Sequence, residues 1–275
     1  MFDQAKISAP LSAHSKRAYA SDWKAYCAWA RRSGREVLDP DPLSVAQYLE
    51  ALAKGAPEVG GRPASRATLH RRLYALAWNY AQRGAQLAVD SPALQSALAL
   101  GQKAPPREKV VCSQRDLQRM IAALDLSTLR GLRDRAMLLL AYHGKLRRAE
   151  LVGLDLAALP QAGRGALQVL EQVMIVTLER RGKFHRVEIV RLSKSVFCPV
   201  AALEIWLKFA RITAGPLFRR VIDEGRAVGD RALSDREFAR IVKRAALAAG
   251  LAPEFSEAER AQRFSGGSLL GKDNS

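Results

Sequence analysis

Seven consecutive apolar residues, Ala136–Tyr142, constrain the fold more than any other stretch of this chain. The run is far shorter than the roughly 20 residues that span a bilayer, and it is long enough for a buried helix. Gly144 follows the run and is a suitable helix C-cap. A second helical pattern begins within three residues, with apolar positions at Leu146, Leu151 and Leu154. The sequence therefore predicts a buried helix, a tight turn and another helix.

Arg147 and Arg148 lie in this turn, with Glu150 in the first turn of the second helix. The buried helix before the turn is a rigid, packed support, so we expect it to direct at least one guanidinium outward. A guanidinium held in this way is suited to forking onto a phosphate. The alternative is a pair of ordinary surface arginines at the start of a helix.

The balance of charge favours a polyanionic partner. The 275 residues contain 44 Lys and Arg against 27 Asp and Glu, a net charge of +17. Residues 1–104 hold 14 basic and 8 acidic residues, and residues 105–275 hold 30 and 19. Both halves are basic without an extended basic tail, which indicates a protein that contacts nucleic acid at more than one place.

Cysteine and histidine do not indicate a metal site. Cys27, Cys112 and Cys198 are far apart and show no CxxC spacing, and the four histidines are equally scattered. We expect free thiols, no metal and no disulfide. The first residues lack a basic stretch followed by an apolar core, so we also expect no secretory signal and a cytoplasmic, bacterial-type location.

The first half predicts a bundle of about four helices. Their expected bounds are Ser12 to Ser33, Ser44 to Lys54, Ser65 to Gly84, and Pro92 to Leu100. Aromatic residues of the first helix are expected in the core. The third helix has a basic face that could contact a DNA backbone or could simply be solvated.

Gly101–Lys109 contains two prolines and several charges, and reads as a linker between domains. Beyond it we predict a helix capped by Ser113, the buried helix, and a β-hairpin with a basic tip at 180–184. Cys198 to Trp206 and Asp235 to Ala249 are predicted as two further helices.

Taken in order, these segments resemble the tyrosine recombinase (phage integrase) family. Ser15–Trp23 looks like the opening of that family's helical core-binding (SAM-like) domain, and so does the helix from Arg66. Residues 138–151, LLLAYHGKLRRAEL, are similar to the family's first catalytic-arginine motif. The resemblance places that arginine at Arg147 and the acidic residue that follows it at Glu150.

The resemblance also implies a fold and a set of contacts. The fold is mainly α, with a core-binding domain at 1–103 and an α-rich catalytic-type domain with a small β-sheet or hairpin at 104–275, its C-terminal helices missing. The family keeps a catalytic lysine in the hairpin; Lys183 is the candidate, and a shifted alignment gives Arg180. The DNA-contacting residues expected are Lys16, Arg17, Arg66, His70, Arg71, Arg72, Arg180 and Arg181.

Enzymes of this family cut DNA by attack of a tyrosine on a phosphate, which forms a covalent phosphotyrosine link. Two arginines stabilise the charge that builds on the phosphate, and a lysine protonates the leaving 5′-oxygen. The covalent link stores the bond energy, so the resemblance implies neither metal nor nucleotide cofactor.

The sequence departs from the family after residue 264. A Gly-His-Ser-Leu-Arg run is expected, but Gly267 stands at the histidine position and Leu270 at the second arginine position. All six tyrosines precede Arg147, and the nucleophile is expected well after the second arginine. Loss of one preorganised donor alone lowers a rate by roughly a hundredfold or more. We therefore expect the catalytic set to be vestigial, through a truncation or frameshift within 267–275.

Three hypotheses follow. The first is a DNA-binding member of the family that is catalytically inactive. The second is a non-enzymatic regulator that occupies a recombination site, alone, as a homo-oligomer or with an intact recombinase. The third is a degraded gene product with no maintained role. Double-stranded DNA is the expected partner in the first two, and no membrane is involved.

Overall fold

The structure is a computed structural model that describes residues 11, 13–102, 109–161, 163–180, 182–193 and 195–270. The chain divides into two units, Met1–Pro106 and Arg107–Ser275, and each is described by itself. Most of the expected linker, 103–108, lies outside the described residues. The roles assigned to 1–103 and 104–275 stay predictions.

Helices build the described part of the first unit: α1 Ala13–Arg32, α2 Pro42–Lys54, α3 Arg66–Ala81 and α4 Pro92–Ala99. Their ends follow from local chemistry. The Asp41 carboxylate accepts hydrogen bonds from the N–H groups of Leu43 and Ser44, and the Ser65 hydroxyl accepts one from Thr68. The four predicted helices of this half are confirmed to within a few residues.

The core of the first unit is rich in aromatic side chains. Tyr26, Tyr48 and Tyr80 are all buried and pack edge to face with ring centroids 5.3–6.4 Å apart. The Tyr80 hydroxyl lies 3.0 Å from the carbonyl oxygens of Val37 and Asp39. The expectation that aromatic residues of the first helix serve the core is therefore confirmed for Tyr26.

The second unit is built around α6, Leu129–His143, in which Ala136 to Ala141 are fully buried. This confirms the buried helix. The other helical elements are α5 Gln114–Ala122, α7 Arg148–Val152, α8 Pro199–Ala210, α9 Asp235–Ala248, α10 Glu257–Arg263 and a 3₁₀ turn, Gly266–Leu269. The helix α10 was not predicted.

Two sheets complete the second unit. The strands are β1 Leu154–Leu156, β2 Gly165–Val169, β3 Val173–Arg180, β4 Lys183–Val190, β5 Gly215–Pro216, β6 Arg219–Ile222 and β7 Ala227–Ala232. The larger sheet has the order β4-β3-β2-β1-β5, with β1 and β2 parallel and the other pairs antiparallel. The smaller sheet pairs β6 with β7.

Two details of the sequence interpretation were wrong. Leu146 and Leu154 are not on the second helix: α7 has only five residues, Leu146 lies in the turn before it, and Leu154 pairs with Gly165 at the start of β1. Its spacing from Leu151 fits a helix, but strand pairing buries it instead. The hairpin turn is also shorter than expected, because Arg180 pairs with Lys183 and only 181 and 182 lie between the strands.

The described helices include none with the length and apolar character that a membrane span requires.

Candidate functional site

The turn before Arg147 is held by an unusual backbone conformation. Gly144 ends α6 with φ −87°, so it is not left-handed, and Lys145 takes the left-handed position with φ 46°. The Leu146 N–H closes the turn on the Ala141 carbonyl at 3.1 Å. Gly144 is thus the C-cap, as predicted, but the left-handed residue that usually goes with such an ending is Lys145.

Gly144 is needed at its position because strand β4 packs directly on the helix end. A Cβ at Gly144 would lie 2.9 Å from Ile189 Cδ1 and 3.0 Å from the Leu140 carbonyl oxygen. A side chain at this position would force Ile189 or the end of α6 to shift. The hairpin of β3 and β4 is therefore seated against the turn that carries Arg147.

Glu150 joins the turn to the hairpin. Its Oε2 accepts a hydrogen bond of 2.8 Å from the Arg147 backbone N–H, which caps α7. The Arg180 guanidinium, at the end of β3, donates to the same carboxylate from Nε (2.8 Å) and Nη2 (2.9 Å). This bidentate pair is largely covered, with the two side chains 14% and 33% exposed. Glu150 therefore connects the Arg147 turn to the end of β3.

The ionisation of Glu150 reflects these contacts. Burial is the largest single effect and raises the pKa of its carboxyl. The hydrogen bonds from Arg180 and the Arg147 N–H, together with the positive charges of these two arginines, outweigh it. The pKa of Glu150 therefore lies below its ordinary value. The same hydrogen bond raises the pKa of Arg180. Both groups stay charged at neutral pH.

Arg147 and Arg148 differ in their surroundings although both are exposed. The Arg147 backbone is fixed by Glu150, as described above. The aliphatic stem of Arg148 packs closely on Gly266, since a Cβ at Gly266 would collide with Arg148 Cγ and Cδ. Arg148 thus contacts the segment from Phe264 to Leu270, which resembles the family's second arginine motif.

That segment is anchored by its buried members. Phe264, Ser268 and Leu269 are at most 1% exposed, and the Ser268 carbonyl accepts a 2.8 Å hydrogen bond from the Cys112 N–H. Gly267 and Leu270 are partly exposed. A Cβ at Gly267 would lie 3.9 Å from Lys109 Nζ, a cation that the sequence interpretation did not single out.

The hairpin candidates are placed differently from one another. Lys183 is exposed at the start of β4, opposite Arg180 in the ladder, whereas Arg180 is tied to Glu150. Arg181 lies outside the described residues. The catalytic role of Lys183 stays a prediction.

In the first unit, Lys16 and Arg17 are exposed on α1, and Arg66 is exposed at the start of α3. The next two arginines of that helix are held by partners that the sequence did not suggest. Arg71 bonds to the buried Asp22, and Arg72 bonds to the Tyr48 hydroxyl.

His70 lies between these residues on α3 and is partly buried. Burial lowers its pKa, with a smaller contribution from Arg66. Since the ordinary value is already below neutrality, His70 is uncharged at pH 7 and adds no positive charge to the face. The DNA contacts assigned to all these residues stay predictions.

Within the part of the chain that the structure describes, no three His, Cys, Asp or Glu side chains converge in a way that could hold a metal ion.

Comparisons with known proteins give the family. Residues 3–81 match the family model for the phage integrase N-terminal SAM-like domain. The chain is 28% identical over 242 residues to an integrase/recombinase XerD homolog of Selenomonas ruminantium, which covers 86% of this chain and 67% of that protein. The N-terminal part is thus of the phage integrase SAM-like type, and the chain as a whole is similar to tyrosine recombinases. A second family member, a tyrosine recombinase XerD of Ralstonia nicotianae, is 28% identical over 144 residues, 52% of this chain and 44% of that protein.

Solved structures show the same fold. A lambda integrase dimer bound to a COC′ core site aligns with 97% of this chain and 65% of its own, at a TM-score of 0.51 and 14% identity. A lambda integrase(75–356) dimer bound to a COC′ core site gives a TM-score of 0.50 at 14% identity, over 97% of this chain and 80% of its own. The expected mainly α, tyrosine recombinase-like fold is confirmed.

Proposed function

We propose that this chain binds double-stranded DNA, holds a backbone phosphate at the Arg147 turn, and does not cleave the strand. The observation that carries the proposal is that Glu150 accepts three hydrogen bonds, one from the Arg147 N–H at 2.8 Å and two from the Arg180 guanidinium at 2.8 and 2.9 Å. It fixes the backbone beneath an exposed guanidinium. With the backbone fixed, the Arg147 side chain loses less conformational freedom when it binds a phosphate than it would on a mobile loop.

The distribution of charge supports DNA as the partner. Both halves of the chain carry excess positive charge within a total of +17. Exposed Lys16, Arg17 and Arg66 in the first unit are the remaining basic candidates that could contact a backbone there. Such contacts bind DNA of any sequence and release counterions as they form.

The chemistry available at the site supports binding without cleavage. Strand cleavage in this family needs a second arginine and a tyrosine that follows it, and Leu270 has no donor to offer a phosphate. Tyr26, Tyr48 and Tyr80 are buried in the core of the first unit. Tyr142, at the end of α6, is partly buried with its ring 5.4 Å from that of His143.

A gel-shift series across salt concentrations tests the binding. Affinity for a short mixed-sequence duplex should fall steeply with salt, since each phosphate contact contributes about 0.9 to the slope. Arg147→Ala should reduce the slope by about 1. The matched control is Arg226→Ala, because Arg226 is an exposed arginine of the same unit. A flat salt response, or equal effects of both variants, would contradict the proposal.

A trapping assay tests the absence of cleavage. Duplexes that the protein selects from a random pool are nicked so that any covalent intermediate accumulates, and the mixture is resolved on a denaturing gel. We expect no protein–DNA adduct. An adduct would overturn the proposed inactivity. It would not affect the DNA-binding proposal, which the salt series tests.

Binding without cutting would let the chain occupy a recombination site, alone, as a homo-oligomer or beside an intact recombinase. Sedimentation of the chain on its selected duplex, with and without an active family member, distinguishes these arrangements. Inhibition of that enzyme by the added chain is the expected result. Undiminished recombination at saturating chain would exclude the blocking role.

A further inference from the structure

A basic pocket lies in the second unit at the opposite end of α6 from the Arg147 turn. It has a volume of about 320 Å³ and is formed by the start of α6, strand β6 and helix α9. The fifteen residues of α6 make it about 22 Å long, so the pocket is separate from the site described above. Its charged lining consists of Arg130, Arg133, Arg220, Arg244 and Glu237.

One buried carboxylate orients two of these arginines. The Arg133 side chain is only 8% exposed and donates to Asp134 Oδ1 from Nε at 2.9 Å and from Nη2 at 2.7 Å. Asp134 Oδ2 accepts a 2.7 Å hydrogen bond from Arg244 Nη2. The remaining terminal nitrogen of Arg133 lies 3.4 Å from the Arg219 carbonyl oxygen, a long hydrogen bond. The two guanidiniums are therefore preorganised and keep donor capacity.

A second carboxylate, that of Glu237, holds Arg220 at the rim of the pocket. Arg220 donates from Nε to Glu237 Oε1 at 3.0 Å, and Glu237 Oε2 also accepts hydrogen bonds from the N–H and hydroxyl of Ser234 at the start of α9. Arg220 and Arg244 are 64% and 62% exposed, and Arg130 is exposed as well. The four guanidiniums of the lining and the two carboxylates that hold them, Asp134 and Glu237, give a net charge of +2 around the pocket.

We propose that this pocket binds a phosphate group, independently of the Arg147 turn. A phosphate monoester carries a charge of about −1.5 to −2 and three acceptor oxygens, which match the net charge and the N–H donors of the pocket. The group belongs either to a DNA backbone or to a free phosphorylated molecule. Both present non-bridging phosphate oxygens to the arginines, two with a single negative charge in a backbone phosphodiester and three with the larger charge in a monoester.

Calorimetric titration with inorganic pyrophosphate at low salt tests the site. The variant is Arg130→Gln/Arg220→Gln, which leaves the buried Arg133–Asp134 pair intact. The matched control is Arg226→Gln/Arg231→Gln, which removes the same charge from exposed positions near β7. We expect the pocket variant to raise the Kd at least tenfold, the control to change it less than twofold, and Arg147→Ala to leave it unchanged.

A competition arm identifies the source of the phosphate. Displacement of pyrophosphate by a mixed-sequence duplex assigns the pocket to a backbone phosphate, and simultaneous binding of both assigns it to a free phosphorylated molecule. Either result supports the site. Failure of the unmutated chain to bind pyrophosphate, or equal weakening in the two double variants, overturns the proposal. The DNA-binding proposal is tested by the salt dependence of the Arg147→Ala variant. Failure of pyrophosphate binding is therefore distinct from failure of that proposal.

Discussion

The bidentate contact between Glu150 and Arg180 should stabilise the second unit by a measurable coupling energy. Glu150 accepts three hydrogen bonds of 2.8–2.9 Å while only 14% exposed. Hydrogen bonds to charged groups contribute about 1.5–3 kcal/mol when buried, and the exposure of Arg180 reduces this value. We expect a coupling of about 1–2 kcal/mol from a Glu150→Ala, Arg180→Ala double-mutant cycle.

The assay is urea unfolding of the four proteins, with hydrogen exchange assigning the change to amides of the second unit. Arg226 and Glu224 provide the control cycle, because they form an exposed pair with side chains 73% and 86% accessible. That pair should couple by less than about 0.5 kcal/mol. A Glu150–Arg180 coupling no larger than the control would refute the reasoning.

The coupling should also depend on pH in a defined direction. The pKa of Glu150 is lower in the folded protein than its ordinary value of 4.5. The stabilisation is therefore complete above that ordinary value and is lost as the pH falls through the lower folded pKa. The Glu150→Gln variant should lack this acid dependence. A coupling that instead disappears on raising the pH would contradict the assignment.

Three further predictions concern the turn and the buried thiols. Gly144→Ala should destabilise the second unit by about 1–3 kcal/mol, because its Cβ would press on Ile189, whereas Gly229→Ala, with no neighbour closer than 3.7 Å, should change the free energy of unfolding little. Lys145→Gly should stabilise by about 1 kcal/mol in urea unfolding, since Lys145 has φ 46°, and Lys145→Ala should not, since it keeps the Cβ. Cys112 should react with a thiol reagent at pH 8 only on unfolding, because burial, and then Asp116, raises its pKa to about 12; rapid labelling of native Cys112 would exclude this.

Local chemistry explains which parts of the fold the sequence could predict. The helices begin where Asp41, Ser65, Ser113 and Ser234 cap free N–H groups, and each cap acts within three residues. The first strand of the hairpin was equally visible in its apolar composition. The strands β1 and β5 were not, because they have only three and two residues and pair with each other, Asp155 with Pro216, from distant parts of the sequence.

The candidate site was predictable in position but not in its contacts. The motif around Arg147 gave the turn, whereas the link from Glu150 to Arg180 joins residues 30 apart and depends on how the sheet packs. Gly144 shows the same limit. A glycine there suggests a left-handed cap, but Gly144 has φ −87° and packs close to Ile189, and the left-handed conformation is found at Lys145.

In the segment from Phe264 to Leu270, the residues that hold the fold differ from the residues that reach the surface. Phe264, Ser268 and Leu269 hold the segment in place from within, while Gly267 and Leu270 reach the surface. Substitution at the two outer positions therefore changes the exposed chemistry of the segment and leaves its buried anchors in place. Under the proposed alignment with the second arginine motif, catalysis is lost at these positions while the fold is kept, and they are the natural ones at which to redesign the site.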